Sequence, residues 1–162
     1  DALVVIASNT GSRTIPVADV ITGPGTISLG VGEFIIEFLL EQPPSRTSDA
    51  YERFIPRTEM DIAVVDAAAR ISLDERGHCQ EAKIAIGAAA PTVIRVPAAE
   101  RILQGKKIND EVLTEVMEEV SKACNPINDK RGTIEYRRQV VGVLAKRVIL
   151  LAEKRALDKK GE

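Results

Sequence analysis

Glu81-Ala-Lys-Ile-Ala-Ile-Gly-Ala-Ala-Ala-Pro-Thr-Val-Ile-Arg-Val-Pro-Ala-Ala-Glu100 decides the fold. A β-rich apolar run ends in Gly87-Ala-Ala-Ala-Pro91, and a helix opens at Pro97-Ala-Ala-Glu, with proline in its first turn. The small residues of 87–91 form a strand end suited to close packing. They are not a phosphate loop, because the repeated glycine spacing and the Lys or Ser of such a loop are missing. Immediately upstream, Ile62 to Leu73 is a second β-rich run, and Asp74-Glu-Arg-Gly joins the two. A loop of that length ending in glycine predicts a hairpin with Gly77 in the left-handed region.

Everything downstream reads as helix. Gly105 closes the first, short helix. Asn109 or Asp110 caps a second, with Val112, Val116, Val120 and Ala123 on one stripe. The third runs from about Thr133 to about Leu157 and buries Val140, Val141, Leu144, Val148 and Leu151. Strands first and helices last give the α+β class.

The first forty residues are β-structure of another kind. Leu3-Val-Val-Ile-Ala predicts a strand buried on both faces. Asn9-Thr-Gly-Ser is a turn, and Arg13-Thr-Ile-Pro-Val a short strand whose Pro16 places it at an edge. Val17 to Gly25 reads as loop. From Glu33 to Glu41 the alternation assigns Phe34, Ile36, Phe38 and Leu40 to a dry face. Glu33, Ile35, Glu37, Leu39 and Glu41 fall on a mostly wet one. The polar connector Gln42-Pro-Pro-Ser-Arg-Thr-Ser marks the boundary, giving two parts, 1–48 and 49–162.

Composition excludes several functions. A chain of 162 residues with 44% hydrophobic residues supports a core, but 3% aromatics and no Trp require Val, Ile, Leu and Ala to build it. The net charge of −2 is a balance of both signs and makes no bulk case for nucleic acid or anionic membrane. No apolar run approaches the ~20 residues of a membrane span. Cys79 and Cys124 are far apart, and His78 is the one histidine, so neither metal-ligand spacing nor a nucleophile–base set is present. Two lone cysteines read as small reduced hydrophobes in a cytoplasmic protein. A start at Asp1, without initiator Met or signal sequence, predicts a piece of a longer chain.

The ordered set of motifs resembles the C-terminal part of the FAD-binding (medium) subunit of molybdenum hydroxylases, the carbon monoxide, xanthine and aldehyde dehydrogenase family. It comprises Asp1-Ala-Leu-Val-Val-Ile-Ala-Ser, Gly11-Ser-Arg-Thr-Ile-Pro-Val, Thr22-Gly-Pro-Gly, Gly32-Glu-Phe-Ile-Ile, Ala50-Tyr-Glu-Arg, Arg57-Thr-Glu-Met-Asp-Ile-Ala-Val-Val and the 81–100 stretch. Asp129, Arg131 and Glu135-Tyr-Arg-Arg complete it. The resemblance implies that residues 1–48 end a flavin-binding α/β region. Residues 49–162 would form a C-terminal domain with a small antiparallel sheet packed on a helical bundle.

It further implies that Ile35 covers the isoalloxazine ring of FAD, whose apolar face it would shield from water. Arg53 occupies a position where the family carries Lys or Arg and would stabilise charge on the reduced ring. Arg57, Glu59 and Asp61 fall in the loop where the electron acceptor arrives. The phosphate-binding loops are expected outside this chain, and the fragment alone is expected to be inactive. The implied partners are the remainder of the flavin subunit, an iron–sulfur subunit with [2Fe-2S] clusters, and a molybdenum subunit with the molybdopterin cofactor. NAD, a quinone or ferredoxin would accept the electrons.

From the residues alone, Ile35 is an ordinary surface hydrophobe and Arg53 a solvated arginine on an edge strand. Arg137 and Arg138, near a helix N-terminus, oppose the macrodipole and are expected to pair with carboxylates as structural anchors. The rival function is a non-catalytic α+β interaction module without flavin.

Overall fold

A computed structural model describes residues 2–57 and 62–158 and divides the chain into two compact units, 1–43 and 44–162. The division falls between Pro43 and Pro44, inside the proline-led connector. Thr47 and Ser48, grouped with the first part by the sequence, instead open a strand of the second unit, where they pair with Ser72 and Ile71.

The first unit holds β1 (Leu3–Ser8), β2 (Gly11–Pro16), a 3-10 turn (Val17–Asp19), β3 (Ile21–Gly23), β4 (Thr26–Ile27) and β5 (Phe34–Leu39). β1 lies between β2 and β5 in an antiparallel sheet, and β3 pairs with β4 in a two-stranded ribbon where a loop was expected. β1 buries Val4 and Ile6 while Leu3 stays exposed, so it is dry on one face and not on both. An antiparallel strand alternates its side chains, and here one side meets the small core of Val4, Ile6 and Val20, flanked by Ile15, Leu29 and Ile35.

β5 departs from the simple alternation. Its register with β1 slips between Val5↔Glu37 and Ile6↔Ile35, leaving Ile36 as a bulge. One extra residue reverses the parity of every side chain beyond it. Ile35 therefore turns to the core beside Ile6, while Phe34, Ile36, Phe38 and Leu40, expected to be dry, are exposed.

The second unit is an antiparallel meander, β6 (Thr47–Phe54), β7 (Val65–Leu73), β8 (Cys79–Gly87) and β9 (Ile94–Arg95), in that spatial order. Three helices follow: α1 (Pro97–Leu103), α2 (Asp110–Ala123) and α3 (Ile134–Asp158). The β7–β8 hairpin closes through Asp74, whose side chain accepts the backbone N–H groups of Arg76 at 2.9 Å and His78 at 2.8 Å. Gly77 takes φ +78° there, a conformation that costs glycine little.

One face of the sheet is covered by helices. α3 packs on β6 and β7, α1 on β8, and α2 on both α1 and α3. Asn109 caps α2 by accepting Val112 N–H at 2.9 Å, and Thr133 does the same for α3 through Tyr136 N–H at 3.1 Å. The core between sheet and helices is small-residue rich. Ala50, Ala67 and Ala69 of the sheet share it with Ala145, Ala152 and Ala156 of α3, and Ile71, Ile84, Ile86, Leu113 and Ile149 fill the remainder. Val140 and Leu151, expected on the buried stripe of α3, sit at its margins.

Candidate functional site

Within the first unit, the approach to Ile35 is set by an ion pair. The Arg13 guanidinium donates to both Glu33 carboxylate oxygens at 2.8 Å and to the Ser28 carbonyl at 3.0 Å. Glu33 also accepts Gly30 N–H at 2.7 Å. The fork of Arg13 and the backbone amide of Gly30 lower the Glu33 carboxyl to about 2. A bidentate pair plus a backbone bond fixes the loop from Ser28 to Glu33, and with it the start of β5. Ile35 is half-buried beside Val4 and Ile6, with the rest of its surface open.

Within the second unit, Arg53 stands on β6, an edge strand, directly opposite Asp66 of β7, which is in turn opposite Gly87 of β8. Arg53 is exposed, and among the described residues no ion pair holds its guanidinium. Asp66 lies against the Gly87 backbone so closely that a Cβ there would come within 2.3 Å of its Oδ1. A side chain at 87 would therefore have to displace the Asp66 carboxyl, so the constraint there is contact and not backbone freedom. Burial pushes the Asp66 carboxyl up, against the pull of the Gly87 amide. Tyr51, on the same strand as Arg53, is also pushed up, by burial first and by Asp66 second.

The same end of the sheet is anchored by Arg137, in the first turn of α3 and 4% exposed. Its guanidinium donates to the carbonyls of Val64 and Ala88 and to Asp129 Oδ1, the last at 2.7 Å. This is the expected carboxylate pairing with two backbone carbonyls added. Arg138 is exposed and, in place of a carboxylate, reaches the Cys124 carbonyl at 3.5 Å. Tyr136 meets Phe54 edge-to-face, with ring centroids 6.4 Å apart.

Of the expected site residues, Ile35 belongs to the first unit, and Arg53 and exposed Arg57 to the second; Glu59 and Asp61 lie outside the described residues. The Arg13–Glu33 clamp and the Asp66–Gly87 contact escaped the sequence reading. Both join residues distant in sequence through register, which no local pattern announces. Arg137 did carry a signal: it precedes Val141, Leu144 and Val148 in phase on the buried stripe.

An open cleft of about 650 Å³ lies at the opposite end of the sheet, lined by Asp74, His78, Cys79 and Gln104 among others. Its thiol is buried and pushed up to about 11, so it is no nucleophile at neutral pH. Cys124 is likewise raised to about 11 by burial. Among the described residues no cluster could hold a metal ion, and no helix is long and apolar enough to cross a membrane.

An antiparallel meander backed by three helices, with an exposed cation on its edge strand, defines an α+β domain. The chain belongs to the family of the CO dehydrogenase flavoprotein C-terminal domain, matched over residues 50–152. It is similar to the putative xanthine dehydrogenase FAD-binding subunit of Escherichia coli K12, 33% identical over 92% of this chain and 51% of that protein. It is 30% identical to the 6-hydroxypseudooxynicotine dehydrogenase complex subunit alpha of Paenarthrobacter nicotinovorans, over 96% of this chain and 52% of that one. A carbon monoxide dehydrogenase structure from Hydrogenophaga pseudoflava superposes with a TM-score of 0.89 at 28% identity, covering 96% of this chain and 53% of that chain. The chain thus spans about half the length of each of these three relatives.

Proposed function

We propose that this chain is the C-terminal portion of the flavin subunit of a molybdenum hydroxylase. The observation that carries the reading is the family match across residues 50–152. The first unit is assigned to the end of the flavin-binding domain and the second to the C-terminal domain. FAD supplies the two-electron carrier that joins the [2Fe-2S] clusters of an iron–sulfur subunit to an outside acceptor such as NAD, a quinone or ferredoxin. Substrate is converted in a molybdenum subunit holding the molybdopterin cofactor, and the assembly works in the cytoplasm.

The described residues fit the ring end of a flavin and not its phosphates. Ile35 presents apolar surface from a strand start held rigid by Arg13 and Glu33. Against a ring face, such a side chain excludes water from both surfaces. Arg53 supplies an exposed positive charge that favours extra negative charge at the ring edge. Arg57, exposed beyond the end of β6, is assigned to the acceptor side. A pyrophosphate needs open helix N-termini or glycine nests. Here the first turns of α2 and α3 already bond to Asn109, Asn128 and Thr133. α1 opens on Pro97 with Glu100 in its first turn, which repels an anion. The remainder of the flavin subunit supplies the phosphate grip.

The test is Arg53→Gln in the complete flavin subunit. The bound flavin should shift in absorption or midpoint potential while the melting temperature stays put. A colourless wild-type subunit, or a flavin indifferent to the loss of Arg53, refutes the proposal.

A further inference from the structure

Four exposed apolar side chains stand on α3 at intervals of seven: Tyr136, Val143, Leu150 and Leu157. A step of seven returns to nearly the same side of a helix, drifting about 20° each time. The four therefore form one narrow stripe, about 30 Å long at 1.5 Å per residue. The opposite side of α3 is buried through Val141, Leu144, Ala145, Val148 and Ile149. A surface helix needs one apolar side, and α3 has two.

The exposed charge along the middle of the outer side is positive, with the carboxylates of Glu135 and Asp158 at its two ends. Between Tyr136 and Leu157 every exposed residue of α3 is apolar, an amide or a cation: Arg138, Gln139, Val143, Arg147, Leu150, Lys154 and Arg155. Arg147 and Lys154 fall within the stripe itself. Lys146 at its margin is held by Asp110 at 2.7 Å, and Arg155 by the Asp49 carbonyl at 2.7 Å. A chain of net charge −2 thus places two cations, Arg147 and Lys154, within one apolar seam.

We propose that this side of α3 docks an amphipathic helix of a partner subunit, with carboxylates bordering that helix's own apolar stripe. A seven-residue spacing keeps the stripe turned to one side along the whole helix, as a single partner helix laid against it requires. A stripe one side chain wide is too narrow for the broad apolar face a membrane surface takes up. A second copy of this chain fits poorly. A two-fold antiparallel pairing of Tyr136 with Leu157 and Val143 with Leu150 brings both Arg147 side chains to the axis. A parallel pairing sets each cation against itself. Carboxylates opposite Arg147 and Lys154 would steer the encounter and fix its register.

The identity of the partner rests on the function proposed above, and the experiment separates the two. The complete flavin subunit is co-expressed with the iron–sulfur and molybdenum subunits, as wild type, Arg147→Glu/Lys154→Glu and Leu150→Ser. All three positions are exposed in this chain, so the subunit should melt as wild type and keep its flavin. A lower melt or a lost flavin overturns the proposal in favour of a contact inside the flavin subunit itself. Each variant should bind the partner subunits roughly tenfold more weakly or worse, and charge reversal should flatten the salt dependence of assembly. Variants that assemble like wild type overturn the docking site while leaving the flavin assignment standing. A wild-type subunit that never joins those partners overturns both. Self-association lost in the variants, or binding to phosphatidylserine-containing vesicles that needs Arg147 and Lys154, also overturns the proposal in favour of that occupant.

Discussion

Replacing Arg137 with Met removes a guanidinium while keeping most of the stem that fills its place at the first turn of α3. Two carbonyls, Val64 and Ala88, then lose the donor they share, and Asp129 loses one partner but keeps Arg131 N–H. Arg137 is 4% exposed, so water does not readily replace it. A buried carbonyl stripped of a charged donor costs about 1–3 kcal/mol, and two such losses give about 3 kcal/mol after allowance for local relaxation. For a domain of this size, that is a fall of about 10 °C in melting temperature. Arg138→Met is the control, one residue along but exposed, and should stay within about 0.5 kcal/mol of wild type. Thermal melting of both variants followed by far-UV circular dichroism decides the matter. Equal melts for the two variants would refute the placing of Arg137 as the anchor between α3 and the ends of β7 and β8.

Leu144→Ala, at a position 4% exposed, should cost about 2–5 kcal/mol by thermal or urea unfolding. Gly87→Ala should destabilise by about 1–3 kcal/mol, because its Cβ would collide with Asp66. Adding Asp66→Ala should recover part of that loss, so a double-mutant cycle returning simple additivity would count against the contact. Glu33 is held at about 2, below its ordinary value of 4.5. Its contribution is therefore present above about 4.5 and lost as pH falls from there toward about 2. Glu33→Gln should flatten the acid unfolding profile of the first unit across that window. Isolated as these 162 residues, the chain should bind FAD no more tightly than about micromolar by fluorescence titration.

The second unit was largely legible in advance, because its elements follow local rules. Asp74 with Gly77 makes a hairpin, Asn109 caps a helix, and Val112, Val116 and Val120 repeat at helical period. The first unit was not, and β5 shows why. The alternation from Phe34 to Leu40 is real in the sequence, but a single bulge at Ile36 moves Ile35 to the core side and leaves Phe34 outside. A bulge is a property of two strands together and leaves no mark on one of them. For the candidate site, Ile35 and Arg53 were reached through motif order, whereas Glu33 and Asp66 depend on partners 20 and 21 residues away.

The alanines shared by β6, β7 and α3 bear on how this domain can change. Where facing layers are built from side chains of one carbon, the backbones approach closely and there is little slack to absorb a larger group. Tolerance then runs opposite to that of a leucine-rich core: trimming has little left to remove at Ala67, Ala69, Ala145 or Ala152, while adding a methyl pushes helix and sheet apart. Replacements that keep the layer spacing are confined to residues as small as Gly, Ser or Cys. The layer spacing, and with it the height at which α3 carries its outer side chains, is set by these positions whatever residues occupy the surface around them.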